Sequence, residues 1–515
     1  MLDLNATPEQ LLKAYQDSQA ENLRLQTIIK LQKEEIRLLH IQKWGPKADK
    51  LSEGQLALLP TEVVVTAAEV EREAALPEAH KQLPAVPKAK TPRPNHPGRT
   101  ELPAHLERRE VILPCPPEEC RCGQCGAERP VIGYEIREEL DCVPARFFVN
   151  VIKREKRGSH CLPEQGVAVA PAPVQIVPKS KLSNTVIIEA LAAKFQQHQP
   201  IYRQCAILGE DHGIDLSRQT LNDAILRAAA LLSAVVQAIA AELLAGDYLQ
   251  ADETTLPCQV PEKTGRHHRA YLWEYSAPGG SVVFQFEMGR GRAGPKGFLR
   301  GFRGILQCDG YGAYDDLGEG IIYLACMAHI RRGFVDAAKL APEDPLAPTL
   351  VDPMNCLYQI ERQAKAQNLS AEGRRALRQS HSQPIMAALK TRITEIRQQV
   401  TPASKLAKAC EYALGQWSRM EVYLEHGRVE IDNNWCEGAM RPIALGRKNW
   451  LHVGDQSAGP KIAAIASIVE TCRRLDIPLR EYLGDILPKL GDWPANRVAE
   501  LTPAAWKAAR TAHNS

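Results

Sequence analysis

This 515-residue sequence lacks three features that often indicate where a protein works. The formal net charge is only +3, so overall charge predicts no nucleic-acid partner, and any contact with DNA must come from local basic patches. Residues 1–4 lack the basic and apolar regions of a signal peptide. The most apolar long run, residues 228–245, carries Ser233, Gln237 and Glu242, which favours a buried helix over a membrane span. We therefore expect a cytoplasmic protein without a membrane partner.

The missing secretory signal also guides the interpretation of the 14 cysteines. In a reducing cytosol, clustered thiols are more often metal ligands than disulfides. Cys122 and Cys125 form a Cys-Gly-Gln-Cys turn in which two thiolates can face one zinc ion. The second half of the site is less clear, because only His160 and Cys161 follow, and Cys120 could replace one ligand. A zinc site and a relic site with free thiols both stay open.

The N-terminal part of the chain changes composition twice. In residues 1–50, apolar positions alternate by four and three, which predicts a coiled-coil helix and a homo-oligomer, with a helix folded onto its own chain as the alternative. Residues 51–105 are rich in Pro, Ala and Lys and predict a linker. Residues 106–170 hold the cysteine cluster, strand-like alternation and a basic run, and predict a zinc-ribbon-like module that binds DNA.

Residues 171–246 form a helical region. A break at Gly213 separates two helical patterns, and Ser217 is a typical cap for the second helix, which would expose Arg218 at its start. A helix-turn-helix with Arg218 on DNA and an ordinary helical hairpin both fit this pattern.

The next segment, residues 247–334, contains apolar runs that predict five β-strands. They cover residues 248–254, 270–275, 282–288, 305–309 and 321–327, and a short helix is expected at residues 297–301. Three strands, a helix and a fourth strand, with acids on the first and fourth strands, is the order of the ribonuclease-H-like α/β fold. We therefore expect the first part of such a core here.

The predicted core is interrupted. Residues 335–426 have an all-α pattern and would be an insertion, residues 427–466 would carry the core helix with a third acid, and residues 467–515 would form a C-terminal helical tail. With the segments before it, this organisation predicts a multidomain α+β protein.

Three acids are candidate catalytic residues. Asp252 and Asp309 lie on the first and fourth predicted strands, and Glu437 lies just inside the later helix. Two aspartates on neighbouring strands and a helical glutamate can hold two divalent metal ions about 3.5–4 Å apart, the arrangement that serves phosphodiester cleavage. Strand-end aspartates are often turn or cap residues, so other acids compete. They are Asp247, Glu253, Asp315, Asp316, Glu430 and Asp432. Asp432 is predicted to cap the helix that begins after it, which favours Glu437 over Asp432 as the third acid.

Basic and aromatic side chains close to these acids are candidate DNA contacts. A patch that follows Glu437 in the sequence could bind phosphates and stack on an unpaired base. Its members are Arg441, Arg447, Lys448 and Trp450. A second group, His329, Arg331 and Arg332, could approach the scissile phosphate, although a structural histidine at a helix start is an equal alternative.

The motifs QADET, QCDGYGAY, CMAHIRRGF, DNNWCEGAMRP and LGRKNWLHVG occur in this order along the chain. In combination they make the chain similar, over nearly its full length, to transposases of the insertion-sequence-66 family. The resemblance implies a DDE triad on Asp252, Asp309 and Glu437, a ribonuclease-H-like catalytic half and an N-terminal half that binds the element's terminal inverted repeats. The cysteine module departs from the family pattern, because Ser159 and Leu162 stand where a second cysteine pair is usual.

These observations together predict a DNA transposase. Two Mg²⁺ ions, replaceable by Mn²⁺, would be held by the three acids, and a structural Zn²⁺ is a candidate second cofactor. The expected partners are the element's ends, target DNA, further copies of the chain and accessory proteins encoded beside it, in the nucleoid of a bacterial cytoplasm. The alternatives are a nuclease or resolvase of the same fold that cuts without joining, and a catalytically silent DNA-binding regulator.

Overall fold

The computed structural model describes residues 8–44, 108–110, 146–158, 167–260, 267–450 and 452–514. The chain divides into two compact units, of which the smaller is His80–Pro171. In the described part of this smaller unit, strands β1 (Lys156–Gly158) and β2 (Val167–Val169) pair antiparallel. The candidate zinc ligands Cys120, Cys122, Cys125, His160 and Cys161 lie outside the described residues.

A five-stranded mixed sheet lies in the larger unit. Its strands are β3 (Tyr248–Cys258), β4 (His268–Ser276), β5 (Val282–Glu287), β6 (Gly304–Cys308) and β7 (Ile321–Ala325). The order across the sheet is β5–β4–β3–β6–β7. The pairs β3–β4 and β4–β5 are antiparallel, whereas β6 runs parallel to both β3 and β7. The five strands predicted from apolar runs are confirmed, with ends that differ by a few residues.

Helices follow the sheet strands as the sequence predicts. Helix α5 (Ala293–Phe298) connects β5 to β6, and α6 (Met327–Leu340) follows β7. The insertion continues with α7 (Leu346–Ala366), α8 (Ala371–Leu377), a π-helical turn (Arg378–Ser382), α9 (Gln383–Gln399) and α10 (Lys405–Glu425). Buried side chains of α6, α7, α9 and α10, among them Phe334 and Trp417, form a second hydrophobic core together with side chains of β6 and β7. The all-α character predicted for the insertion is confirmed.

The C-terminal part is helical throughout its regular elements. It contains α11 (Asn434–Trp450), α12 (Ala458–Arg474), α13 (Leu479–Leu490), a 3₁₀ segment (Ala495–Leu501) and α14 (Pro503–Asn514). Helix α12 packs on β5, where Ser467 Oγ accepts a hydrogen bond from the backbone N–H of Phe284 at 2.8 Å. A Cβ at Gly459 would lie 2.3 Å from the Phe286 ring, so this close approach of helix to strand requires glycine.

Before the sheet come α2 (Asn184–Phe195), α3 (Ile201–His212) and α4 (Arg218–Ala245). Gly213 ends α3 with a positive φ of 65°, and Ser217 caps α4 by accepting a hydrogen bond from the backbone N–H of Thr220 at 3.1 Å. Helix α4 is long and apolar enough to span a membrane by length and composition. Its buried side chains, such as Leu232 and Ile239, belong to the same hydrophobic core as the sheet, as expected for a buried helix.

Helix α1 (Pro8–Trp44) is a single long helix with two different faces. On one face, Lys30 pairs with Asp344 at 3.0 Å, so α1 contacts the rest of its own chain. The heptad positions Tyr15, Leu25 and Ile36 are exposed. Both sequence interpretations therefore describe part of this helix, and self-association stays a prediction.

Two buried glutamines connect the sheet to the segment that precedes α11. Gln250 and Gln307 are paired in register on β3 and β6 and have no exposed surface. Gln250 Nε2 donates to Gln307 Oε1 at 2.8 Å and to the backbone O of Asp432 at 2.9 Å. Gln250 Oε1 accepts from the backbone N–H of Cys436 at 3.3 Å, and Gln307 Nε2 donates to the backbone O of Glu430 at 3.1 Å. The two amides thus fix where α11 begins relative to the sheet.

A buried arginine anchors the end of the insertion. Arg378 donates to the two carboxylate oxygens of Glu361, both at 2.7 Å, and to the backbone O of His426 and of Val429, both at 2.8 Å. Burial would raise the pKa of Glu361, but hydrogen bonds and charge from Arg378 and Arg374 outweigh it, so the pKa lies below its usual value. This ion pair therefore holds the chain segment that leads towards α11.

We predict that Gln250→Ala destabilises the protein by roughly 1–3 kcal/mol for each buried backbone group that loses its partner. The affected groups are the carbonyl of Asp432 and the N–H of Cys436. Gln398→Ala, on the exposed side of α9, is the matched control and should change stability little. The measurement is the free energy of unfolding in denaturant, and equal losses in the two variants would contradict the role of Gln250.

We predict that Arg378→Met lowers the free energy of unfolding by about 3 kcal/mol or more, because breaking a buried ion pair leaves an uncompensated charge. Arg375→Met is the control, since Arg375 pairs with Glu425 at 3.0 Å on the surface, and it should cost less than about 1 kcal/mol.

The stabilisation by Glu361 should be complete above its unfolded pKa near 4.5 and disappear as the pH falls through the lower folded pKa. The free energies of unfolding of wild type and Glu361→Gln, measured across this pH range, show whether the stabilisation by Glu361 falls as the pH falls.

Candidate active site

Asp252 lies on β3, and Asp309 directly follows the end of the neighbouring strand β6. Gln250 on β3 pairs with Gln307 on β6, and each aspartate follows its glutamine by two residues. Since β3 and β6 are parallel and about 4.8 Å apart, the two aspartates come to the same edge of the sheet. Both of their negative charges act on the phenol of Tyr314, whose pKa lies well above its usual value, chiefly because of burial.

The turn after β6 fixes the position of Asp309. Asp309 Oδ1 accepts a hydrogen bond from the backbone N–H of Tyr311 at 2.8 Å. Gly310 between them has a positive φ of 75°, and a Cβ at this position would lie 2.6 Å from the Gln416 side chain. Glycine is favoured here because it adopts this φ without strain, and any other residue would also displace the end of the Gln416 side chain.

The segment Asp432-Asn433-Asn434 directs Glu437 towards these strands. Asp432 Oδ1 accepts a hydrogen bond from the backbone N–H of Asn434 at 3.1 Å, the capping role predicted for it. Asn433 Nδ2 donates to the backbone O of Ala251 at 3.1 Å, next to Asp252. Glu437, in the first turn of α11, is 2% exposed. Burial raises the pKa of Asp432 to about 6, although its hydrogen bonds oppose this rise.

His329 lies beside Glu437. Its Nδ1 is 3.6 Å from Glu437 Oε1, and Cys326 Sγ lies near both, so that the three ligand atoms are within 4.8 Å of one another. Burial lowers the pKa of His329, and the negative charge of Asp309 opposes this effect. The charge of Asp309 thus acts on His329, which lies beside Glu437, and the charges of both aspartates act on Tyr314. Among the described residues, Glu437 shares its 4.8 Å cluster with Cys326 and His329 and not with the two aspartates.

The competing acids are engaged elsewhere. Five of them have a basic partner: Asp247 pairs with Arg428, Glu253 with Arg290, Asp315 with Arg419, Asp316 with Arg292 and Glu430 with Lys365. Glu253 is the competitor closest to the site in sequence, and it also accepts a hydrogen bond from the hydroxyl of Tyr314 at 2.9 Å. Burial, followed by the charge of Asp309, raises its pKa.

Sequence reasoning did not identify Glu274, which is paired in register with Asp252 on β4. Glu274 has no exposed surface, and Arg474 donates to its Oε1 at 3.0 Å and to the backbone O of Trp435. Burial raises the pKa of Glu274 to about 7, against the opposing charge of Arg474. This ion pair holds the first turn of α11 against β4. Its partners are 200 positions apart, so no local pattern could indicate it.

The candidate DNA contacts around α11 differ in their surroundings. Lys448 is exposed and Arg441 is half-buried. Arg447 donates to Thr255 Oγ1 at 2.7 Å, which ties α11 to β3. Trp450 is half-buried, and a Cβ at Gly446 would meet its ring.

The remaining candidates lie on other helices. Arg331 is buried and donates to Asn355 Oδ1 at 3.0 Å, whereas Arg332 is half-buried beside Asp336. Arg218 is exposed at the start of α4. Sequence reasoning overlooked Trp435, which is 41% exposed and lies two residues before Glu437. Its place inside the DNNWCEG motif was the signal that could have found it.

Comparison with known proteins identifies the family. Residues 179–461, more than half of the chain, match the model of the Transposase IS66 family. The chain belongs to the IS66 transposase family. Residues 31–111 match the "Transposase C of IS166 homeodomain", and residues 119–161 match the "zinc-finger binding domain of transposase IS66". The cysteine module therefore belongs to a zinc-finger family. Together, the family domains imply DNA binding.

Similar proteins occur in Sinorhizobium fredii. The uncharacterized protein y4hP is 33% identical over 445 residues, which cover 81% of this chain and 78% of that protein. The uncharacterized protein y4qI is 32% identical over 518 residues, which cover 96% of this chain and 91% of that protein. Membership of the IS66 family thus extends over the N-terminal segments as well as the sheet.

Proposed function

We propose that this chain is the DNA transposase of an insertion sequence and that Asp252, Asp309 and Glu437 are its catalytic acids. The observation that supports this proposal is that each aspartate lies two residues after a member of the Gln250–Gln307 pair, while Asn433, four residues before Glu437, donates to the backbone O of Ala251. The sheet order β5–β4–β3–β6–β7, with β4 antiparallel to both of its neighbours, supports a ribonuclease-H-like core. Family membership supports the same activity.

The donor set of this site fits magnesium. Asp252 and Glu437 are 4% and 2% exposed, and buried carboxylates that lie close together require compensating positive charge. Carboxylate oxygens are the hard ligands that Mg²⁺ prefers, and Mn²⁺ accepts the same ligands. We infer that Asp252, Asp309 and Glu437 would together hold two ions. Two such ions supply activation of the attacking oxygen and stabilisation of the leaving oxygen.

The proposed reaction has two steps. Water cleaves the phosphodiester at the element's end and frees a 3′-hydroxyl, which then attacks a phosphodiester of the target DNA. Neither step forms a bond between protein and DNA, so no serine or tyrosine nucleophile is needed. The protein's part is to hold the three carboxylates in position, and the hydrogen bonds of Gln250 to Asp432 and Cys436 support this function.

Side chains near α11 would contact the DNA. Exposed Lys448 and half-buried Arg441 are suited to phosphates. We assign base stacking to Trp435 rather than to Trp450, because Trp435 is exposed and lies close to Glu437, whereas Trp450 packs on Gly446.

The N-terminal half would select the DNA and pair the copies. We propose that the zinc-finger segment, residues 119–161, and Arg218 at the start of α4 bind the terminal inverted repeats. The exposed heptad positions of α1 would pair two copies of the chain. Accessory proteins of the element would join this complex on the bacterial nucleoid.

We predict that Asp252→Asn, Asp309→Asn or Glu437→Gln each lowers Mg²⁺-dependent cleavage by at least about 10²-fold, because each removes a charge that the metal ions require. Binding to the element's ends should persist. Asp247→Asn is the matched control, since Asp247 precedes β3 and pairs with Arg428 on the surface, and it should retain activity. Cleavage of labelled element ends and gel-shift binding are the two measurements.

Joining is assayed separately with pre-cleaved ends. Insertion of these ends into a target supports the transposase, whereas cleavage without joining would indicate a nuclease or resolvase of the same fold. End binding with neither reaction in the wild-type protein would indicate a silent regulator. Unchanged cleavage in any of the three acid variants would overturn the assignment of that acid.

We predict that Trp435→Ala weakens binding to an element end with an unpaired base at the cut by about tenfold or more, since stacking contributes roughly 1–3 kcal/mol per base. Trp435→Phe should retain most of this affinity because the ring is kept. Fully paired DNA is the control substrate, for which the two variants should differ little. Fluorescence of 2-aminopurine at the unpaired position measures stacking directly, and identical quenching by wild type and Trp435→Ala would contradict the assignment.

A further inference from the structure

We propose that Cys326, His329 and Glu437 form a second kind of metal site, which binds a thiophilic divalent cation such as Zn²⁺. The site shares Glu437 with the proposed catalytic triad, and its consequence for DNA cleavage rests on the proposed function. Cation binding at this site does not rest on the proposed function, because it depends on the three side chains alone.

The geometry of the cluster carries this inference. A sulfur, a ring nitrogen and a carboxylate oxygen lie within 4.8 Å of one another, and the nitrogen-to-oxygen distance is 3.6 Å. Sulfur, imidazole and carboxylate are the zinc ligands of proteins, and three protein ligands leave the fourth tetrahedral position to water. His329 Nδ1 is buried and makes no hydrogen bond to any residue that the structure describes. A nitrogen in this state is ready to coordinate a metal ion.

The local structure places the Cys326 sulfur and the His329 ring together. Cys326 and His329 are three residues apart at the start of α6, so both side chains lie on one side of its first turn. The backbone N–H of Asn433 donates to Cys326 Sγ at 3.2 Å, which fixes the sulfur beside the segment that leads to Glu437. Burial and the charges of Glu437 and Asp432 raise the pKa of this thiol, so a bound metal ion would displace its proton.

The two kinds of cation would compete for Glu437. Zn²⁺ binds sulfur and nitrogen far more strongly than Mg²⁺ does, so a low concentration of zinc can occupy this cluster in the presence of excess magnesium. A glutamate held by zinc no longer serves the magnesium pair. Zinc would therefore inhibit DNA cleavage through Cys326, a residue with no part in the proposed reaction.

The binding test uses Co²⁺ as a spectroscopic substitute for zinc, with the full-length protein and no DNA. Cobalt binding is followed by its sulfur-to-cobalt charge-transfer absorption. This absorption should saturate at one fewer equivalent of Co²⁺ in Cys326→Ser than in wild type, because the zinc-finger cysteines bind the same amount of Co²⁺ in both proteins. Cys356→Ser, a half-buried thiol on α7, is the matched control and should keep the full signal. His329→Asn should raise the dissociation constant of Co²⁺ at the site that contains Cys326 by at least about tenfold. Equal stoichiometry in wild type and Cys326→Ser would overturn the site.

The inhibition test titrates Zn²⁺ into a cleavage assay at fixed Mg²⁺. Cys326→Ser should cleave at the wild-type rate without zinc and should need at least about tenfold more zinc for half-inhibition. The same zinc sensitivity in both proteins would overturn the regulatory consequence. If neither protein cleaves DNA under any condition, the proposed function fails, while the cobalt result still decides the metal site.

Discussion

The arrangement of this molecule depends on one buried hydrogen-bonded link, in which the amides of Gln250 and Gln307 join two parallel strands to a backbone segment 182 residues further along the chain. Burying an amide side chain destabilises the folded protein unless its N–H and C=O groups form hydrogen bonds. Here the amides of the two glutamines bond to the backbone of Glu430, Asp432 and Cys436. A slip of either strand by one residue would turn the glutamines to the other face and break these bonds. The strand register and the start of α11 are therefore fixed together, and Glu437 is delivered to the edge of the sheet where both aspartates lie.

The helices between β7 and α11 are held against both the sheet and the segment that leads to α11. They share a hydrophobic core with β6 and β7, and Arg378, paired with Glu361, holds the backbone of His426 and Val429 where the chain leaves these helices. The chain then returns beside β7, where the backbone N–H of Met327 donates to the backbone O of Ile431 at 3.1 Å. The number of residues between β7 and α11 thus has little influence on the position of Glu437, because both ends of the insertion are fixed at the same place.

What the sequence could predict follows from the range of the interactions involved. Strands and helices depend on local periodicity, so their order was recognisable, as was the capping role of Asp432 next to its helix. The Glu274–Arg474 pair and the glutamine link join residues far apart in the chain, and no local pattern encodes such contacts. Exposure is equally a tertiary property: the same motif region contains one exposed and one packed tryptophan, Trp435 and Trp450, and the sequence alone favoured the packed one.

The electrostatics of the proposed site favour bound cations. In that site, three carboxylates would repel one another, and the two that are almost fully buried, Asp252 and Glu437, lose hydration on folding. The first turn of α11 faces this region with its positive end, as does the first turn of α6, and each offsets only a fraction of a charge. Arg474 is committed to Glu274 and Arg290 to Glu253, so the nearby arginines are already paired with other acids. Positive charge that the chain does not supply would come from bound ions, and this supports the proposal that the fold of the site is coupled to metal binding.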